Sequence, residues 1–323
     1  MTEMKKSLAI FSGSTCSKLA DQIADNLGVQ PGNVKLEKFA NGEIYARYQE
    51  SIRGADVFIV QSPTTGSVND AVMEMLIMAD AAKRASARTI NAVVPCYPYA
   101  RQDRKASARE PITGKLVANL METAGFNRMI SLDLHQGQIQ GFFDMPVDHL
   151  TALPIFVDYF RNKNLPKDKL CVVSPDVGRA KAAKKLSDML GAELAIMHKG
   201  RPGHNKAEIT ALIGDVDGKI CIVNDDMIDT AGTLCAAVDT LKSKGAEKVY
   251  VCATHPIFSG PAYDRLENSQ IDEVVVCNTV PVPEERQTGK IKVLSVAPLL
   301  ARAITNIYDN ASVASLFDPD FAL

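Results

Sequence analysis

Short apolar runs alternate with longer stretches of helical period along most of this chain. Val57-Phe58-Ile59-Val60, Ile90 to Val94, Leu170-Cys171-Val172-Val173 and Ile220 to Val223 are nearly continuous runs of apolar residues, the pattern of strands buried on both faces. Between them lie amphipathic stretches. One runs from Thr113 to Gly125, another from Ile155 to Phe160, and a third from Thr233 to Gly245, with Leu234 to Leu241 apolar at helical spacing. Strand and helix in regular alternation predict an α/β fold with largely parallel sheets.

The two halves echo each other. Val57 to Pro63 recurs as Leu170 to Pro175, and a long helix is expected after each. Thr113 and Thr233, Gly125 and Gly245, and His135 and His255 stand 120 residues apart. Four echoes in one order predict two tandem, similar domains, residues 1–150 and 151–311. The boundary falls after the turn from Gly141 to Pro146, and the tail 312–323 is apolar enough to pack back on the first domain.

Composition narrows the class. The 323 residues are 46% hydrophobic and 23% charged, enough apolar material for two cores in a globular protein. Basic and acidic residues number 36 and 38, so bulk charge argues for neither nucleic acid nor an acidic membrane. The seven cysteines are scattered without zinc spacing, and Cys171, Cys221 and Cys252 lie in apolar runs. That usage fits a reducing compartment. No apolar run has the length of a membrane span or a secretory leader, and a cytoplasmic protein is expected.

The densest chemistry follows Ile220 to Val223. Asp225 and Asp226 end that run, Asp229 comes three residues later, and Thr230-Ala231-Gly232-Thr233 opens the next helix. A small-residue turn at a helix N-terminus offers backbone N–H groups to a phosphate. Carboxylates beside it suit vicinal hydroxyls, so the segment predicts a cradle for a sugar phosphate. It resembles the phosphoribosyl pyrophosphate (PRPP) binding motif of the type I phosphoribosyltransferases.

Other segments are less decisive. Asp176, in Ser174-Pro175-Asp176-Val177-Gly178-Arg179, sits where it can hold a divalent ion or ribose hydroxyls, or simply make a turn. His198 to Asn205 is Gly-rich and aperiodic. Its composition alone describes a solvated connection; functionally it is a lid bringing Lys199 and Arg201 to a charged transition state. Tyr97 to Lys105 places Arg101, Gln102 and Asp103 beyond a strand end, as a polyphosphate loop or a solvated basic one. His135 is a metal ligand or a structural histidine. Neither a P-loop nor a Gly-x-Gly-x-x-Gly fingerprint is present, so nucleotide binding follows another mode.

Together these pieces resemble the ribose-phosphate pyrophosphokinase family. The resemblance runs from Phe11-Ser12-Gly13-Ser14 to Ser315-Leu316-Phe317, through Tyr99 to Asp103, Asp133-Leu134-His135, Gln138 to Asp144 and Thr254 to Pro261. It implies two domains of type I phosphoribosyltransferase-like topology and transfer of the β,γ-pyrophosphoryl group of ATP to ribose 5-phosphate, giving PRPP and AMP. It places ribose 5-phosphate on Asp225, Asp226 and Asp229 to Thr233, catalysis on Lys199 and Arg201, and Mg²⁺ near His135 and Asp176. ATP falls to Arg101, Gln102 and Asp103, with Phe39, Asn41 and Glu43 contributed by a neighbouring subunit of a homo-oligomer, a hexamer in much of the family. Ser51, Arg53, Arg109 and Ser312 match an allosteric phosphate site. Three departures stand out: the lid reads Lys199-Gly200-Arg201-Pro202-Gly203 with two flanking cations missing, Arg179 replaces a glycine, and Ala108 and Ala314 replace hydroxyl residues of the regulatory site. The alternatives are a transferase that consumes PRPP and a silent partner of an active synthetase.

Overall fold

The computed structural model describes residues 7–64, 66–200, 208–287 and 289–317. The chain opens with β1 (Leu8–Ser12), α1 (Ser17–Leu27), a hairpin of β2 (Val34–Lys38) and β3 (Ile44–Tyr48), and β4 (Asp56–Val60). Then come α2 (Val68–Arg84), β5 (Thr89–Val93), α3 (Thr113–Ala124), β6 (Arg128–Leu132), β7 (Val147–Leu150) and α4 (Leu153–Asn162). The later half comprises β8 (Leu170–Ser174), α5 (Ala180–Leu190), β9 (Glu193–Gly200), β10 (Glu208–Ile213), β11 (Ile220–Ile228), α6 (Gly232–Ser243) and β12 (Lys248–Pro256). It closes with α7 (Ala262–Glu267), β13 (Glu273–Cys277), β14 (Ile291–Leu294) and α8 (Ala297–Tyr308).

The strands form two main sheets. The first is parallel throughout, in the order β1-β4-β5-β6-β7. The second runs β10-β9-β8-β11-β12-β13-β14 and is parallel except where β10 pairs with β9. β4 and β8 are buried along their whole length, as continuous apolar runs in parallel sheets require.

Alternation along each strand divides the side chains between three cores. Val57 and Ile59 point to a cluster with Met75 and Ala79 of α2 and Val117 and Met121 of α3. Cys221 and Val223 point to a cluster with Ala237, Val238 and Leu241 of α6. The opposite faces of both sheets, through Phe58 and Val60 on one and Ile220 and Ile222 on the other, meet one shared cluster. That cluster is filled by Ile23 of α1, Phe156 and Phe160 of α4, Leu186 of α5 and Leu300 and Ile304 of α8. The stack is therefore helices, sheet, helices, sheet, helices, with the middle helical layer common to both sheets.

The internal echo is visible in backbone geometry. α3 and α6 both stop before a glycine in left-handed conformation, Gly125 at φ 114° and Gly245 at φ 91°. A side chain there is strained, and at Gly245 a Cβ would also meet the Asp217 carboxylate. The hairpin and β7 were not among the expected elements. β7 lies past the Gly141–Pro146 turn and adds an edge to the first sheet, with only Val147 and Leu150 apolar. From the tail, Leu316 is buried in the shared cluster, while 318–323 lie outside the described residues. Among the described residues no helix is long and apolar enough to cross a membrane.

Candidate active site

In the second sheet the chain passes from β8 to β9 on one side, then returns to lay β11 against the other side of β8. This reversal opens a crevice beyond the carboxyl ends of β8 and β11, the usual ligand position in open α/β sheets. β8 delivers Asp176 and Gly178 to it, and β11 delivers Asp225 and Asp226. Arg101 and His135 reach in from the loops that follow β5 and β6 of the first sheet. The cavity so formed has a volume of about 390 Å³.

One wall is the segment from Asp229 to Thr233. Ala231 takes a left-handed conformation at φ 60° and starts α6 without any side-chain cap. The first N–H groups of a helix have no partner inside it, so an uncapped start faces the cavity with free donors. The turn is held from behind: Phe258 N–H donates to Ile228 O at 3.0 Å, Ser259 N–H to Asp229 O at 3.0 Å, and Arg265 Nη1 to Thr230 O at 2.9 Å. Sequence reasoning missed Arg265 and gave no role to Ser259, because both act across long separations.

The acids are not equivalent. His135 Nδ1 lies 2.7 Å from Asp226 Oδ2, and Asp226 is only 2% exposed. Burial works against the Asp226 charge, yet the His135 hydrogen bond and the Arg179 charge outweigh it and hold the carboxyl well below the usual range. The same hydrogen bond raises His135, so each partner favours the charged form of the other. Asp225 goes the other way. Burial, then the adjacent Asp226 charge, push it up to about 8. Two neighbouring carboxyls thus divide into one held ionised and one near its titration point. Asp229 is lowered despite burial, because Ser259 and Arg101 hydrogen bond to it; Arg101 Nη1 stands 2.7 Å away.

The first sheet grips the second at this edge. Besides His135–Asp226 and Arg101–Asp229, Thr254 Oγ1 donates to Asp133 Oδ2 at 2.6 Å, and buried His255 reaches Leu132 O at 3.1 Å. Asp133 also accepts from Ala152 N–H at 2.9 Å. His135 and His255, equivalent in the sequence echo, therefore differ in role: His135 lines the cavity, whereas His255 is 2% exposed and fixes backbone.

Other expected residues lie apart. The Gln102 side chain accepts from Thr113 Oγ1 at 2.5 Å and does not line the cavity; Asp103 is felt there only as a charge that raises His135. Phe39, Asn41 and Glu43 form the β2–β3 turn, where Phe39 is 56% exposed. Ser51 and Arg53 share a recess with Arg47 and Tyr48 that contains neither Arg109 nor Ser312. Arg201 falls outside the described residues, and Lys199 is described only as backbone at the end of β9. Among the described residues, no cluster of three His, Cys, Asp or Glu side chains forms a cation cage. Asp176 Oδ1 accepts Arg179 N–H at 3.0 Å, leaving its other oxygen, and His135 keeps Nε2. So sparse a donor set fits a Mg²⁺ carried on substrate phosphates, since Mg²⁺ retains waters and takes few protein ligands.

Fold and cavity define an α/β protein with acids and an open helix start gathered in one crevice where loops of the first sheet meet the second. Comparison with known proteins is more specific. Residues 8–125 match the N-terminal domain of ribose phosphate pyrophosphokinase, and residues 200–318 match the phosphoribosyl synthetase-associated domain. The chain is 52% identical to the ribose-phosphate pyrophosphokinase of Bacillus caldolyticus, over 98% of this chain and 100% of that one. It is 53% identical to that of Streptomyces coelicolor, over 98% of each. The crystal structure of phosphoribosylpyrophosphate synthetase from Mycobacterium smegmatis superposes with a TM-score of 0.88 at 46% identity, covering 94% of this chain and all of that one. The chain belongs to the ribose-phosphate pyrophosphokinase family.

Proposed function

We infer that the chain carries out its family's reaction, transfer of the β,γ-pyrophosphoryl group of ATP to the C1 hydroxyl of ribose 5-phosphate. The observation that supports this best is the convergence of Asp225, Asp226 and the uncapped Asp229–Thr233 turn with Arg101, His135 and Asp176 in one cavity. The 5-phosphate sits on the free N–H groups of Gly232 and Thr233 and the threonine hydroxyls. Asp225 and Asp226 accept hydrogen bonds from the ribose hydroxyls, which fixes the sugar for in-line attack on the β-phosphorus. Asp226, held ionised by His135, orients the sugar; Asp225, near its titration point, is the carboxyl able to accept a proton from the attacking hydroxyl. Arg101 leaves Asp229 to meet ATP phosphates. A Mg²⁺ near Asp176 Oδ2, and near His135 Nε2 when the imidazole is neutral with Nδ1–H on Asp226, would draw charge from those phosphates when bound. Lys199 and Arg201 supply mobile cations for the charge leaving with AMP.

The division at residue 150 follows the end of the first sheet and remains our assignment, as does a homo-oligomer in which Phe39, Asn41 and Glu43 serve a neighbour's ATP. The test is product formation by the purified chain from ATP, Mg²⁺ and ribose 5-phosphate. AMP and PRPP in equal amounts are expected. No AMP would overturn the reading and favour a silent partner subunit.

A further inference from the structure

Next to this cavity lies a second one, also of about 390 Å³, which shares His135, Arg179 and Asp225 with it. Its deep wall is apolar, built from Leu150, Leu153 and Phe156. Its rim carries Lys181 and Lys185, one turn apart on the same face of α5. Neither lysine makes an ion pair within the described residues. Of the acids present, Asp133 already accepts two hydrogen bonds, from Ala152 N–H and Thr254 Oγ1. His149, which accepts the Leu134 N–H and is lowered by burial, adds no charge at neutral pH. With Arg179, Lys181 and Lys185 against Asp133 and Asp225, the basin is net cationic.

Two of its polar atoms are buried and unsatisfied. Arg179 Nε has no hydrogen-bond acceptor, and Asp225 Oδ1 stands 3.8 Å off. Asn224 is 4% exposed and turns its amide nitrogen to Cys252 Sγ, which leaves Oδ1 without a donor. Buried polar atoms in native proteins nearly always have partners, and both residues line this cavity, so a ligand that drew these two atoms into hydrogen bonds would satisfy them together. A ligand that fits accepts from the guanidinium, donates to the amide oxygen and gains from the two exposed ammonium groups at the rim.

We propose that this second cavity is a binding subsite for a phosphomonoester bearing hydroxyl donors, with the phosphate on Arg179, Lys181 and Lys185 and a hydroxyl on Asn224 Oδ1. It rests on the proposed function only through the walls the cavities share. Two molecules of the reaction have this chemistry, ribose 5-phosphate and AMP. Because Arg179 and Asp225 face both cavities, occupancy of one couples to the other.

Equilibrium dialysis of the full chain against ribose 5-phosphate, and separately against AMP, tests the proposal. The Arg53→Ala background removes phosphate binding at the remote recess. For at least one ligand, a second equivalent per chain is expected. It should weaken at least tenfold, about 1.4 kcal/mol, in the Lys181→Ala/Lys185→Ala variant, whose side chains are exposed and whose loss spares the cores. The ligand that shows the lysine-dependent equivalent identifies the source. The Thr230→Ala/Thr233→Ala variant should lose only the other equivalent of ribose 5-phosphate. If that variant changes nothing while the lysine pair matters, the first-cavity reading fails and the second subsite stands. A single equivalent of each ligand, or a second one indifferent to the lysines, overturns the proposal.

Discussion

Replacing Asp226 with asparagine removes one charge and almost no volume from the centre of the site. In the native protein that charge has two neighbours. It hydrogen bonds His135 at 2.7 Å, raising the imidazole, and it pushes Asp225 upward. Asp226→Asn should therefore lower the titration of His135 to or below its ordinary 6.5, because burial, which opposes its protonation, is left without the opposing carboxylate. A hydrogen bond between charged partners is worth about 1.5–3 kcal/mol, so the variant should lose roughly 2 kcal/mol of unfolding free energy. The sign sets the window. His135 is raised on folding, so its stabilisation is complete below about pH 6.5 and fades as pH climbs through its folded value. Asp226 is lowered, so its share is present above the ordinary carboxyl value near pH 4 and is lost as pH falls through its folded value. The stability gap between wild type and variant should thus be widest from about pH 4 to 6.5 and narrow on either side. Urea unfolding across pH gives the gap, and NMR titration of the imidazoles, with His135→Asn to assign the signal, gives the cause. An unchanged His135 titration in Asp226→Asn would refute the reasoning, whatever the activity does.

Further consequences can be checked independently. Asp225→Asn should cut kcat about a hundredfold or more, the scale of general base catalysis, and abolish a wild-type rise in kcat/KM as pH passes through about 8, where Asp225 ionises; a rise that survives in the variant excludes Asp225 as its source. Arg101→Ala should raise KM for ATP severalfold yet change stability by under about 1 kcal/mol, since the arginine side chain is 56% exposed and its pair with Asp229 is screened; steady-state kinetics beside thermal unfolding separates the two. Thr254→Val takes one donor from half-buried Asp133 Oδ2, beside the buried Thr254 position, and should cost about 1–2 kcal/mol in urea unfolding. Gly245→Ala should cost at least about 1 kcal/mol, because φ is 91° and the new Cβ meets Asp217; an unchanged midpoint would show that the turn relaxes freely.

What the chain announces locally was legible. Ile220 to Thr233 carries strand, acids, turn and helix start in contiguous residues, so its reading needs no knowledge of what lies elsewhere. Gly125 and Gly245 were legible for the same reason, since a helix end is a local event. What failed was contact at a distance. Nothing near His135 names Asp226 as its partner, 91 residues on, and nothing near Asp133 names Thr254. β7 escaped because Val147 and Leu150 are too few to show a period, and it became a strand only because β6 offered an open edge. The hairpin does alternate, in Val34 and Leu36, but its weak apolar content concealed it. The fate of Arg179 was also hidden: sequence identified an unusual residue, and only the two cavities on either side show what it borders.

The helical layer between the two sheets has a bearing on how such a molecule came to exist. If a single α/β unit was copied end to end, each copy brought one sheet face needing cover, and here those faces, through Phe58 and Val60 and through Ile220 and Ile222, share the same helices. Neither half can be lifted away without stripping the other, so the doubled chain has become obligate to itself. A fragment ending at residue 150 would show water the face carrying Ile10, Phe58, Val93, Ile130 and Leu132, without α4, α5 or α8 to hide it. Such a chain should melt in a single transition, and the shared core opposes a hinge between the sheets. Motion around the substrates is then left to the loops at the strand ends, which evolution can shorten, recharge or rewrite while the five stacked layers stay as they are.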